Sequence, residues 1–174
     1  MTGSLADQFK AGFRRHAAGV ALVVGETATG PVGATVSSVA SVSADPALLS
    51  FSLARASSVG PQLVGCDRLS VFVLSADQAD LAAAYADRRA ERFTDEQGWA
   101  RDERGLVLPG AVATFRGRAV RVIPAGGSWL VLLEVDEVEL GRPVAPLVHH
   151  DREYWTPAPL PEDRVLPLLR AVEG

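Results

Sequence analysis

Two long apolar-rich segments, "AVATFRGRAVRVI" and "SWLVLLEVDEVEL", are joined between residues 111 and 140 by nothing more than "PAGG". Proline and glycine mark a turn, so this spacing predicts a long β-hairpin. Arg116, Arg118 and Arg121 are interspersed with apolar positions, which predicts one wet face on the first strand. The alternation in "LEVDEVEL" predicts a half-exposed strand whose carboxylates form a solvated face.

Shorter strands are predicted at "VALVVGE", "ALLSFSLA", "LSVFVLS" and "PLVHHDREYW". Leu5, Phe9, Phe13 and Ala17 recur at spacing four, the stripe of an amphipathic helix. A short helix is predicted over "SSVGPQLVGC", capped by Ser57 or Ser58. A longer one is predicted over "QADLAAAYADRRAERF", capped by Asp77 and carrying Leu81 and Tyr85 on one face. Residues 94–109 are polar and contain glycine, so they are predicted as a mobile loop. The strand-helix alternation is too irregular for a doubly wound sheet, and no Gly-x-Gly-x-x-Gly lies in a strand-turn-helix context. A mainly β, barrel-like domain with peripheral helices is the expected class.

A chain of 174 residues suits one domain with a sizeable core. We expect that domain at 1–156, followed by a Pro-rich tail at 157–174 whose "VLPLLRAV" needs apolar surface to pack on. Net charge is −4 without a basic run, which argues against nucleic acid. Cys66 is the only cysteine, so neither an intrachain disulfide nor a thiolate metal cluster is expected. No signal-peptide core and no membrane-spanning apolar run is seen, so a cytoplasmic protein without membrane association is expected. His149 and His150 are strand neighbours that point to opposite faces, and a surface or core role is expected rather than a metal site.

"VGATVSSVASVSADP", residues 32–46, sets Thr35, Ser37, Ser38, Ser41 and Ser43 among apolar neighbours. A buried hydroxyl costs roughly 1–3 kcal/mol unless it is hydrogen-bonded. Either the backbone satisfies these groups, as in a simple turn at Ser37 and Ser38, or a polar ligand does.

The ordered blocks "FRRHAAGVALVV", "GPVGATVSSVASVSADPALLSFSLARASS", "LSVFVLSADQADLAAAYADRRAERF", "LPGAVATFRGRAV" and "PLVHHDREYW" resemble the flavin reductase-like family of FMN-binding split barrels. Those proteins include the small reductase components of two-component flavin monooxygenases. The resemblance implies an FMN-binding split β-barrel, homodimeric, with flavin near the subunit interface. It implies hydride transfer from NAD(P)H to flavin N5 and delivery of reduced flavin to a partner oxygenase, with FAD as an alternative to FMN. By the same resemblance Thr35, Ser37, Ser38, Ser41 and Ser43 line the flavin, and Ser52 and Ala54 lie beside the ribityl chain. Ser57 and Ser58 meet the phosphate, and Arg92 and Phe93 complete that end. Read on their own, Ser57 is a plain cap and Arg92 a solvated helix-end residue.

One block departs from the family. Where its hairpin reads Gly-Asp-His, with the histidine on the nicotinamide side, this chain has Gly127, Ser128 and Trp129. Trp129 either stacks on a ligand or the flavin, fills the nicotinamide pocket, or simply packs in the barrel or at a dimer contact. The departure leaves two alternatives: an FMN-retaining flavoprotein acting on another small molecule, and a non-catalytic flavin- or haem-binding module. No Ser-His-Asp set or Gly-x-Ser-x-Gly elbow competes.

Overall fold

A computed structural model describes residues 3–159. Helix α1 (Leu5–Arg14) leads into β1 (Ala18–Gly19), β2 (Ala21–Thr27), β3 (Gly30–Val36), β4 (Ala40–Ala44) and β5 (Ala47–Ala54). After α2 (Gly60–Val64), β6 (Leu69–Val73) and α3 (Ala79–Ala86) comes a short pair, β7 (Ala100–Asp102) and β8 (Gly105–Val107). The predicted long hairpin is β9 (Ala113–Ala125) with β10 (Ser128–Leu140), and β11 (Val148–His150) and β12 (Glu153–Trp155) follow.

Seven strands form one antiparallel sheet in the order β3-β2-β6-β9-β10-β5-β4. The sheet curls without closing, so β3 and β4 remain its edges. The central runs are apolar at nearly every position because both faces of their strands are covered. Val23, Val71, Phe51, Leu53 and Val131 fill the inside of the curl. Leu22, Val24, Phe72 and Leu74 pack on the other side with Ala82 and Tyr85 of α3. Phe51 and Phe72 are fully buried, each contributing roughly 1.5–3 kcal/mol.

Several local expectations are corrected. Helix α3 ends at Ala86 rather than running to Phe93, because Asp87 turns extended and its carboxylate accepts the Arg89 N–H at 2.9 Å. That Asx turn offers the backbone an alternative to another helical turn. Asp77 does not cap it; a 3-10 turn over Ala76–Gln78 precedes it, with Ser75 as cap and Gln78 Oε1 accepting the Ser75 N–H at 3.0 Å. The segment 94–109, expected as a mobile loop, contains a further 3-10 turn and the β7–β8 hairpin, with Leu108 buried. The expected single last strand is the hairpin β11–β12, turned by Asp151 (φ 47°) and Arg152 (φ 69°). Two successive positive φ values are the mark of a tight two-residue hairpin turn, here without glycine.

Arg116 is the largest departure on β9. It is 3% exposed rather than wet, and it meets Glu137 at 3.0 Å and Glu139 at 3.4 Å. The acidic run on β10 is therefore a partner set for a buried cation as well as a polar face. Arg118 and Arg121 are exposed.

Ser4 caps α1 through a reciprocal pair with Asp7, its Oγ accepting the Asp7 N–H at 3.2 Å. None of this helix's residues is buried. No described helix is long and apolar enough to cross a membrane. The expected packing of "VLPLLRAV" lies outside the described residues.

Candidate functional site

Across the open side of the curl, β3 and β5 approach each other without pairing. The Ser52 N–H on β5 donates to Ser38 Oγ at 2.9 Å and ties the seam. Beside this seam, under the end of α3, lies a cavity of about 270 Å³. Its lining includes Thr35 from β3, Ser52 and Ala54 from β5, Ser57 and Ser58 from the turn before α2, and Tyr85, Arg88 and Arg92 from α3 and beyond. Six residues singled out in the sequence, drawn from segments up to 57 positions apart in number (Arg92 minus Thr35), thus share one cavity.

The hydroxyls divide by what they touch. Thr35 Oγ1 donates to the Ala82 carbonyl at 2.7 Å, so the fold itself satisfies it and anchors β3 to α3. Ser57 Oγ donates to the Ala54 carbonyl at 2.9 Å and accepts the Gly60 N–H at 2.8 Å. It closes the turn, although the residue at the helix cap position is Val59 and neither serine occupies it. Ser38 accepts from Ser52 and keeps its own proton to donate. Ser52 and Ser58 make no side-chain hydrogen bond within 3–159 and remain open to a ligand. Ser37, Ser38 and Ser41 are exposed, so water meets them and the burial cost expected for this run does not arise.

None of the other seven expected site residues (Ser37, Ser38, Ser41, Ser43, Phe93, Ser128 and Trp129) lines this cavity. Ser41 and Ser43 line a separate apolar crease of about 200 Å³ with Val39, Leu48, Phe115 and Val138. Phe93 turns its ring inward, 5.2 Å from Tyr85 and 5.2 Å from Trp99. Trp129 stands directly opposite Leu53 in the β5–β10 register, and opposed residues share a face. Its ring therefore packs on the inner core, with the Arg55 guanidinium 5.7 Å from its centroid. Ser128 is opposite Ala54; both Leu53 and Ala54 line the cavity, whereas neither Ser128 nor Trp129 does.

Tyr85 organises the cationic end, a role the sequence pattern did not reveal. It is 2% exposed, and its ring lies against Gly33, where an added Cβ would come within 2.9 Å of Cε1. Its hydroxyl accepts the Phe93 N–H at 2.9 Å and donates to Gln97 Oε1 at 3.3 Å. Phe93 is held at φ 59°, an uncommon conformation for a bulky residue. This strap returns the chain so that the Arg92 guanidinium lies 5.7 Å over the Tyr85 ring, with Nη2 on the Asp87 carbonyl at 2.9 Å. Arg92 Nε is buried with no hydrogen-bond partner among the described residues.

Burial pushes the Tyr85 hydroxyl up to about 12, against smaller opposing effects led by the Phe93 N–H. Because the folded state holds the phenol neutral above its unfolded value near 10, the associated stability is complete below pH 10. It is lost as pH rises towards 12, by roughly 2–3 kcal/mol. Urea unfolding at pH 8 and pH 11 should show this alkaline loss in the wild type and a smaller one in Tyr85→Phe. Equal losses in both proteins would remove Tyr85 as its source.

A second cavity, about 280 Å³, is lined by Arg68, Arg104 and Arg116 together with Glu26 and Asp67. There every arginine has a carboxylate: Arg68 with Asp136 at 2.6 Å, Arg104 with Asp102 at 2.7 Å, and Arg116 with Glu137. That network is neutralised internally. The cavity at the seam has two arginines and no carboxylate in its lining, so it is the one suited to a phosphorylated ligand.

The family model described as "Flavin reductase like domain" matches residues 13–157. An NADH:FMN oxidoreductase from Rhodococcus erythropolis is 37% identical over 164 residues, covering 91% of this chain and 85% of the relative. The reductase component of a 4-hydroxyphenylacetate 3-monooxygenase from Thermus thermophilus is 29% identical, covering 85% of this chain and 94% of its own. Among solved structures, a flavin reductase domain protein from Arthrobacter sp. FB24 superposes with a TM-score of 0.84 at 32% identity, over 91% of this chain and 99% of that one.

Proposed function

The chain belongs to the flavin reductase like family, and on that footing we propose that it is an NADH-dependent flavin reductase using FMN at the β3–β5 seam. The observation that carries this reading is the convergence of hydroxyls and unneutralised arginines on one cavity. Arg92, with its unpartnered buried Nε, and Ser58 would hold the phosphate. Ser38, Ser52 and the backbone of β5 would follow the ribityl chain and ring edge. FMN bound in this way supplies a two-electron carrier that accepts hydride at N5. The protein's part is to bind, orient and shield, which is why no acid-base pair is needed.

A partner oxygenase fits a chain related to the reductase component of a two-component monooxygenase. A homodimer is supported by α1, where Leu5, Phe9 and Phe13 are 82%, 63% and 59% exposed on one stripe. The alternative of a different small-molecule substrate depended on Trp129 occupying the donor side. Trp129 lies against the inner core opposite Leu53, itself a lining residue of the cavity, so that alternative is decided by whether NADH reduces the bound flavin.

Arg92→Ala is expected to weaken FMN by roughly 1.5–3 kcal/mol, the size of a charge-assisted hydrogen bond, and riboflavin much less. Equilibrium dialysis with both ligands measures the difference. Equal losses would make Arg92 a structural residue, and no flavin retention by the wild type would remove the cofactor assignment.

A further inference from the structure

We infer that Arg55, stacked on Trp129 at the tip of the β9–β10 hairpin, is the cation that receives the pyrophosphate of the dinucleotide donor, outside the flavin cavity. This rests on the reading of the chain as an NADH-dependent flavin reductase. Two anionic ligands must then meet at one seam, and Arg88 and Arg92 both line the cavity that takes the first. Ala54, Ser57 and Ser58 line it too, whereas Arg55 does not and stands exposed at its rim. The Arg55 guanidinium makes no ion pair among the described residues.

The hairpin tip holds that guanidinium in place. The Arg55 backbone N–H donates to the Gly127 carbonyl at 2.9 Å, and Arg55 Nη1 donates to the Gly126 carbonyl at 3.4 Å. The guanidinium carbon lies 5.7 Å from the centroid of the Trp129 ring. That ring is itself packed against the inner core, so it is a fixed platform that restricts the long Arg55 side chain. A guanidinium has five N–H donors in one plane, and stacking by its face with one carbonyl bond leaves the others for a ligand. Gly126 turns the tip at φ 57°, and nothing lies within 4 Å of a Cβ added at Gly127, so the space beside the guanidinium is open. A pyrophosphate presents paired anionic oxygens that suit this forked donor. Ala54 on the cavity wall and Arg55 on the rim are chain neighbours, so one extended dinucleotide can touch both. The Arg55–Trp129 pair also falls at the hairpin position where this chain departs from its family.

The test is reduction of the FMN-loaded wild type, Arg55→Ala and Arg55→Lys by two donors. One is NADH, and the other is uncharged 1-benzyl-1,4-dihydronicotinamide, which has the reacting ring and no phosphate. Arg55→Ala should lose about tenfold in kcat/KM for NADH, equivalent to about 1.4 kcal/mol, through KM with kcat changed less than about twofold. Its kcat/KM with the benzyl donor, and its FMN affinity by equilibrium dialysis, should stay within about twofold of wild type. Added salt should erode the preference for NADH in the wild type and hardly alter it in Arg55→Ala. Arg55→Lys should restore part of the loss, since it keeps the charge without the planar fork. An unchanged kcat/KM for NADH in Arg55→Ala, or equal losses with both donors, would overturn the inference while leaving the proposed function in place. A wild type that NADH does not reduce would overturn that function, and this inference with it.

Discussion

Replacing Phe9 and Phe13 together by glutamate is expected to convert the proposed homodimer into monomers. Both rings lie on α1, 4.7 Å apart, on a helix with no buried residue in the single chain. Burying one such side chain contributes roughly 1.5–3 kcal/mol, so four of them across a twofold interface amount to roughly 6–12 kcal/mol. A dimer with nanomolar affinity has only about 12 kcal/mol in total. Sedimentation equilibrium measures the change, and circular dichroism should be nearly unaltered because neither ring contributes to the chain's own core. A double variant that remains dimeric would place the interface elsewhere, and a monomeric wild type would end the proposal.

Gly117→Ala should cost more than about 3 kcal/mol and leave little folded protein, the upper range for overpacking against an unyielding neighbour. Gly117 is the point on β9 opposed by Leu69 of β6 on one side and Val135 of β10 on the other. The β9–β10 register shifts just beyond it, between Val135 and Glu137. This bulge brings the backbone of β10 so close that a Cβ at 117 would overlap the Glu134 carbonyl oxygen. A backbone atom within two ladders cannot move aside as a side-chain tip does. Gly127→Ala is the control: nothing lies within 4 Å of its added Cβ, and the change should stay within about 0.5 kcal/mol. Chemical denaturation of both variants gives the comparison, and a stable Gly117→Ala would mean that the bulge relaxes.

What was legible in the sequence was whatever depends on local pattern. The β9–β10 hairpin and the doubly buried runs of β2 and β6 follow from apolar content and turn residues. What was hidden depends on register and on single side-chain bonds. Arg116 reads as a wet-face residue until β10 is aligned beside it, when Glu137 proves to be its directly opposed partner. The packing of Trp129 against the inner core is visible only once β10 is set in register with β5, since a shift of one residue moves a strand side chain to the other face. Ser41 and Ser43 lie away from the seam because they sit on the edge strand β4, which pairs only with β5. The end of α3 rests on one Asp87 hydrogen bond, which no periodicity announces. The cluster of Thr35, Ser52, Ala54, Ser57, Ser58 and Arg92 came instead from family resemblance, and the curl of the sheet is what unites it.

The most direct measurement is an anaerobic titration of the FMN-loaded protein with NADH, followed at the flavin absorption maximum. An NADH-dependent flavin reductase bleaches with about one equivalent of NADH per flavin, at a rate in the usual enzymatic range of roughly 1–10³ s⁻¹. Flavin that stays bound and oxidised in the presence of excess NADH would contradict that function for this chain.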